Sequence, residues 1–109
     1  MKIVKAPTTR SYQDYLISSL KAPEEAAAYI EAVLEEKNPE PSLLASALQD
    51  AIAARVRSNN LSAEAQNYWE KLEELLSASG GAEIYTLVAL LDALGFRLVV
   101  AVGQDDRLQ

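Results

Sequence analysis

The 109 residues include 16 acidic and 10 basic side chains, for a net charge of -6, and half of the chain is hydrophobic, a composition that folds and a length that suits one domain with a single core. Cysteine and histidine are both absent, which excludes a disulfide framework, a thiolate metal site and a cysteine nucleophile, and removes the usual general base, zinc ligand and neutral-pH switch. The acidic balance disfavours nonspecific attraction to nucleic acid or an anionic membrane, and no apolar run resembles a signal peptide or approaches the ~20 residues of a bilayer span, so the expectation is a cytoplasmic, non-catalytic chain with no cofactor, metal or membrane partner.

In chain order, Lys2 to Lys5 reads as a short strand-like stretch. Ser11 then looks like an N-cap, with Asp14 in the first turn and Tyr12, Tyr15, Leu16 and Leu20 at helical spacing, which predicts a first helix to about Leu20. Pro23 opens a second helix with Glu24 and Glu25 near its positive dipole end and an apolar stripe of Ala26, Tyr29, Ile30, Val33 and Leu34. It is expected to stop near Lys37, before the Asn38-Pro39 break.

Pro41 begins a third pattern, with Leu43, Leu44, Ala47, Leu48, Ala51, Ile52 and Val56 on one face as far as Asn59-Asn60, and with Arg55 and Arg57 placed to complement the dipole at its C-terminus. Ser62 is positioned to cap a fourth helix whose stripe is Ala65, Tyr68, Trp69, Leu72, Leu75 and Leu76, ended by the breaker Ser77 to Gly81. A fifth helix carries Ile84, Leu87, Val88, Leu91 and Leu94, and Gly95 stands where a left-handed C-terminal cap is wanted. Phe96 to Val102 is β-branched and free of Gly and Pro, so it reads as a strand, which needs either Lys2 to Lys5 or a symmetry mate to satisfy its amides. The predicted fold class is therefore mainly α: a compact five-helix domain over residues 1–109 with a short terminal β-strand pair.

Several stretches carry a resemblance. Thr9-Arg10-Ser11-Tyr12, Asp14-Tyr15-Leu16, Leu20-Lys21, Pro23 through Tyr29, and then Ala32, Leu34, Glu35 and Glu36 resemble the opening of the addiction-module antidote proteins. These are HigA-like antitoxins and transcriptional regulators with an Xre-type helix-turn-helix. The similarity runs over residues 8–54 and resumes at Thr86-Leu87 and Leu90-Leu91-Asp92-Ala93-Leu94-Gly95, within a last helix and strand at 82–102. It implies an antitoxin-like regulator that forms a homodimer, holds a toxin or other protein partner, and binds operator DNA.

Between these stretches, residues 61–79 depart from the family pattern. Where the family places two short helices around a Gly-containing turn, this chain reads as one continuous helix with no Gly before Gly80. From Leu61 to Leu94 the only base is Lys71, against Glu64, Glu70, Glu73, Glu74, Glu83 and Asp92, whereas a groove-reading surface supplies Arg, Lys, Asn or Gln. The alternative reading is a protein-interaction or scaffold module of the same fold that has lost DNA binding.

The candidate phosphate contacts are Arg10, Arg55 and Arg57, although the last two also suit a helix end. The candidate interface comprises Trp69, Phe96, Leu98, Val100 and Val102: Trp is enriched at hot spots, though it also packs in cores, and a lone hydrophobic strand needs cover. Tyr12, Tyr15 and Tyr29 read as core or helix contacts. Adjacent acids such as Glu35-Glu36 and Glu73-Glu74 diverge by about 100° on a helix and read as solvated faces, and Gly80-Gly81 lacks the Lys of a phosphate loop.

Overall fold

Caps and breakers set the architecture. The computed structural model describes residues 5–103, with side chains from Ser11 onward. Five helices follow in order: α1 Lys5–Ser19, α2 Pro23–Leu34, α3 Leu43–Arg57, α4 Ala63–Ser79 and α5 Ala82–Ala93. Ser62 caps α4 as expected, its hydroxyl accepting from the Ala65 amide at 3.0 Å. Asn59 (φ 58°) ends α3 in the left-handed region, with Asn60 N–H donating to the Arg55 carbonyl at 2.8 Å and Asn59 N–H to Val56 at 2.9 Å. Gly95 (φ 90°) ends α5 in the same manner, Phe96 N–H reaching the Leu91 carbonyl at 2.7 Å and Gly95 N–H reaching Asp92 at 3.0 Å. Both are Schellman closures, which satisfy carbonyls that a bare helix end leaves open. Replacing Ser62 with alanine is expected to cost about 1 kcal/mol, read as a lower urea midpoint at unchanged slope.

α3 is the central helix, packing against α1, α2 and α4. Val33, Leu44, Ala47 and Leu76 form one buried cluster, supported by Trp69, Leu72, Ile84 and Tyr85 at its edge. Ile17, Leu20 and Ala54 form a second, between α1 and α3, and Tyr29 touches both. Asp50 on α3 ties these helices together from the polar side. It accepts from Gln13 Nε2 of α1 at 2.8 Å and from the Tyr29 hydroxyl of α2 at 3.2 Å.

Three expectations need correction. The first helix begins at Lys5, not at Ser11, which lies inside α1; Pro7 in the first turn is compatible with this because the amides there have no intrahelical partner to lose. Tyr12 and Tyr15 are exposed, at 63% and 71%, because α1 turns Gln13, Leu16, Ile17 and Leu20 toward α3. Phe96 to Val102 forms no ladder, and no strand occurs among the described residues. In the single chain the segment has no regular secondary structure and is pinned to α2: Arg97 bonds Glu31 at 2.9 Å and Glu35 at 3.2 Å, and the Val100 amide donates to Glu31 Oε1 at 3.1 Å. Of its expected mate, Lys5 opens α1 and residues 2–4 lie outside the described residues.

Burial raises the pKa of Tyr29, and the neighbouring Asp50 carboxylate raises it further; burial likewise raises Tyr85, with a smaller push from Glu36. The native state therefore holds these phenolic protons more tightly than the unfolded chain does. This contribution to stability is fully present below the ordinary value of 10.0 and is lost as pH rises through the raised values. Urea midpoints are expected to be flat from pH 8 to 9 and to fall above about pH 10; Tyr29→Phe should flatten that decline.

Candidate interaction surface

The chain turns by 86° between α4 and α5. Two consecutive left-handed residues make the corner, Gly80 (φ 66°) and Gly81 (φ 83°), and Gly81 N–H is held by the Ser79 hydroxyl at 3.1 Å. The turn directs only one side of α5 toward the rest of the protein. Ile84 and Tyr85 pack on the first cluster, and the Tyr85 hydroxyl donates to the Val33 carbonyl at 2.9 Å. At about 100° per residue, Glu83, Leu87, Leu90 and Leu94 fall together on the opposite side.

That outer side is uncovered. Leu87, Leu90 and Leu94 are 47%, 53% and 60% exposed, and Phe96, Val99 and Val102 just beyond α5 are 63%, 58% and 45% exposed. α5 has no buried residue although it is the most apolar of the helices. An apolar helix normally lies inside a core or an assembly.

A second apolar feature lies elsewhere, a groove of about 710 Å³ between α2, α3 and α4. Its walls are two matched stripes, Leu48, Ala51, Ile52 and Arg55 on α3 and Ala65, Tyr68, Trp69 and Leu72 on α4, and Ala26 and Ile30 of α2 also line it. Both stripes follow the i, i+3, i+4, i+7 spacing, so the groove runs along about two helical turns, or ~10 Å. Among the described residues, Arg55 is its only charged lining residue.

The expected site residues thus separate into groups. Trp69 is half-buried in the groove wall at the edge of the core, while Phe96 and Val102 are exposed and Leu98 and Val100 half-buried in the C-terminal segment. Arg55 and Arg57 share a helix end but not a purpose: Arg55 lines the groove, and Arg57 turns to α1 and bonds Asp14 at 3.1 Å. The side chain of Arg10 lies outside the described residues. α4 is one unbroken helix of 17 residues, as its sequence predicts. Among the described residues no group of three acidic side chains is placed to hold a metal ion, and no single helix is long and apolar enough to cross a membrane.

Sequence reasoning did not single out Leu87, Leu90 and Leu94 as a surface, because apolar residues at helical spacing normally mark a buried face. The Glu31 clamp on the C-terminal segment was also missed, and no local pattern signals it: Glu31 and Arg97 are separated by 66 positions. No protein-family model, curated protein or solved structure matches the chain.

Proposed function

We propose that this chain is a non-catalytic protein-binding module whose α5 and C-terminal segment are covered in a complex. The observation that carries the reading is the uncovered apolar side of α5, continued by Phe96, Val99 and Val102. In water such a surface is costly to leave open, and its burial is the driving force for association. The resemblance to HigA-like antitoxins points to a homodimer that also holds a toxin or another protein partner.

Operator binding has less support. The helices after Leu61 carry Lys71 alone among Glu64, Glu70, Glu73, Glu74, Glu83 and Asp92, and Arg57, one of the few cations nearby, is engaged by Asp14. Phosphate contact rests on clustered cations.

Two measurements test the proposal. Hydrogen exchange of residues 82–103 should be slowed in the complex isolated from the native host relative to the dilute, purified chain. Equal exchange in both states contradicts the protein-binding reading. In a gel-shift titration at ~150 mM salt, duplex DNA should not be retained; sequence-selective nanomolar binding would restore the operator-binding reading.

A further inference from the structure

We propose that the groove between α2, α3 and α4 receives α5 of a second copy of this chain, and that the exchange is reciprocal, giving a closed two-fold dimer. This rests on the reading that α5 is covered, and it names what covers it.

The two surfaces match in length. Leu87, Leu90 and Leu94 are exposed along eight residues, from α5 to its C-cap, and each groove wall offers a stripe of the same eight-residue reach, Leu48 to Arg55 and Ala65 to Leu72. All three span about two turns, or ~10 Å. A helix laid between two such ridges is a helix-in-groove contact with its apolar anchors at i, i+3 and i+7.

They also match in charge. Among the described residues, the groove's only charged lining residue is Arg55, at the end near Asn60 and Ser62. The only acid on the exposed stripe of α5 is Glu83, which is fully exposed one turn before Leu87. Seating Leu87 to Leu94 in the groove with Glu83 toward Arg55 sets the incoming α5 antiparallel to α3 and brings the two opposite charges to the same end of the groove. Pairing α5 with α5 of the second copy lacks this complement, because α5 contains no cation to face Glu83.

Reciprocity follows from economy of surface. Each copy holds one stripe and one groove, and a two-fold axis engages both at once and closes the assembly.

The test is sedimentation of the full chain from 1 to 100 µM at ~150 mM salt, for the unmodified protein and for R55E, E83R and the double variant R55E/E83R. Helical content by circular dichroism serves as the folding control. The unmodified protein should be a dimer. Each single reversal should raise its dissociation constant about tenfold or more, and the double reversal should return it to within about threefold.

A monomer at every concentration overturns the second-copy proposal, and the exchange experiment above then decides the protein-binding reading separately. A dimer insensitive to both single reversals but split by L90K overturns the groove assignment while leaving α5 as the covered surface. Single reversals that weaken the dimer without rescue in the double variant also overturn the pairing of Arg55 with Glu83. An open series of higher oligomers overturns the closed, reciprocal arrangement.

Discussion

Truncating Leu44 to alanine is expected to lower the unfolding free energy by about 3 to 4 kcal/mol. Leu44 is 2% exposed and sits in the cluster of Val33, Ala47 and Leu76, so it joins α3 to α2 and α4. One of its neighbours there is already alanine, which leaves little side chain to collapse into the vacated space, and the cost of such a substitution grows with the cavity that remains. The loss is large against a total of 5–15 kcal/mol for a typical domain. Urea unfolding should show a lower midpoint with unchanged slope, and a loss under about 1 kcal/mol would mean that the site is far less tightly packed than the geometry indicates.

Gly80→Ala should cost about 2 to 3 kcal/mol, and here the expense falls on backbone and not on a cavity. Gly80 has φ 66°, and a Cβ placed on it would stand 3.1 Å from both Cα and Cβ of Pro41 and 3.3 Å from the Pro41 carbonyl oxygen. The left-handed conformation alone disfavours an L side chain by about 1 kcal/mol or more. The added contact is with a proline backbone, which cannot rotate aside as a flexible side chain can. Gly95→Ala provides the comparison: it shares the positive φ but has nothing within 4 Å of the added carbon, so it should lose only the conformational part, about 1 kcal/mol. Equal losses for the two variants would show that Pro41 yields.

The helices were legible because their ends are written in local chemistry: Ser62 before α4, Pro23 at the start of α2, Asn59 and Gly95 where left-handed closures fall. The start of α1 was not, because Ser11 fits a cap as well as an interior turn, and only the chain before it decides between them. Tyr12 and Tyr15 misled for a related reason. A tyrosine suits both a core edge and a wet surface, and the stripe that meets α3 runs through Gln13, whose polar end finds Asp50. The β-branched run after Gly95 was read as a strand, but a ladder requires a partner strand, and that requirement is not a property of the run itself. Of the proposed interaction surfaces, Trp69, Phe96 and Val102 were visible in the sequence as residue types. The exposure of the outer side of α5 depends on the 86° corner, which no local pattern encodes.

Among the described residues, Tyr29 is the one partly buried side chain packed against both hydrophobic clusters, and its hydroxyl meets the carboxylate that also receives Gln13 of α1. A core that narrows to a single aromatic ring need not open all at once. α1 rests on Ile17, Leu20 and Ala54 and can detach while Val33, Leu44, Ala47 and Leu76 stay closed, so native-state exchange should divide the domain into two cooperative units, with the amides of α1 opening at lower free energy than those of α3 near Leu44. Tyr29→Ala should widen that difference and Tyr29→Phe should preserve most of it, because the ring, more than the hydroxyl, joins the two halves.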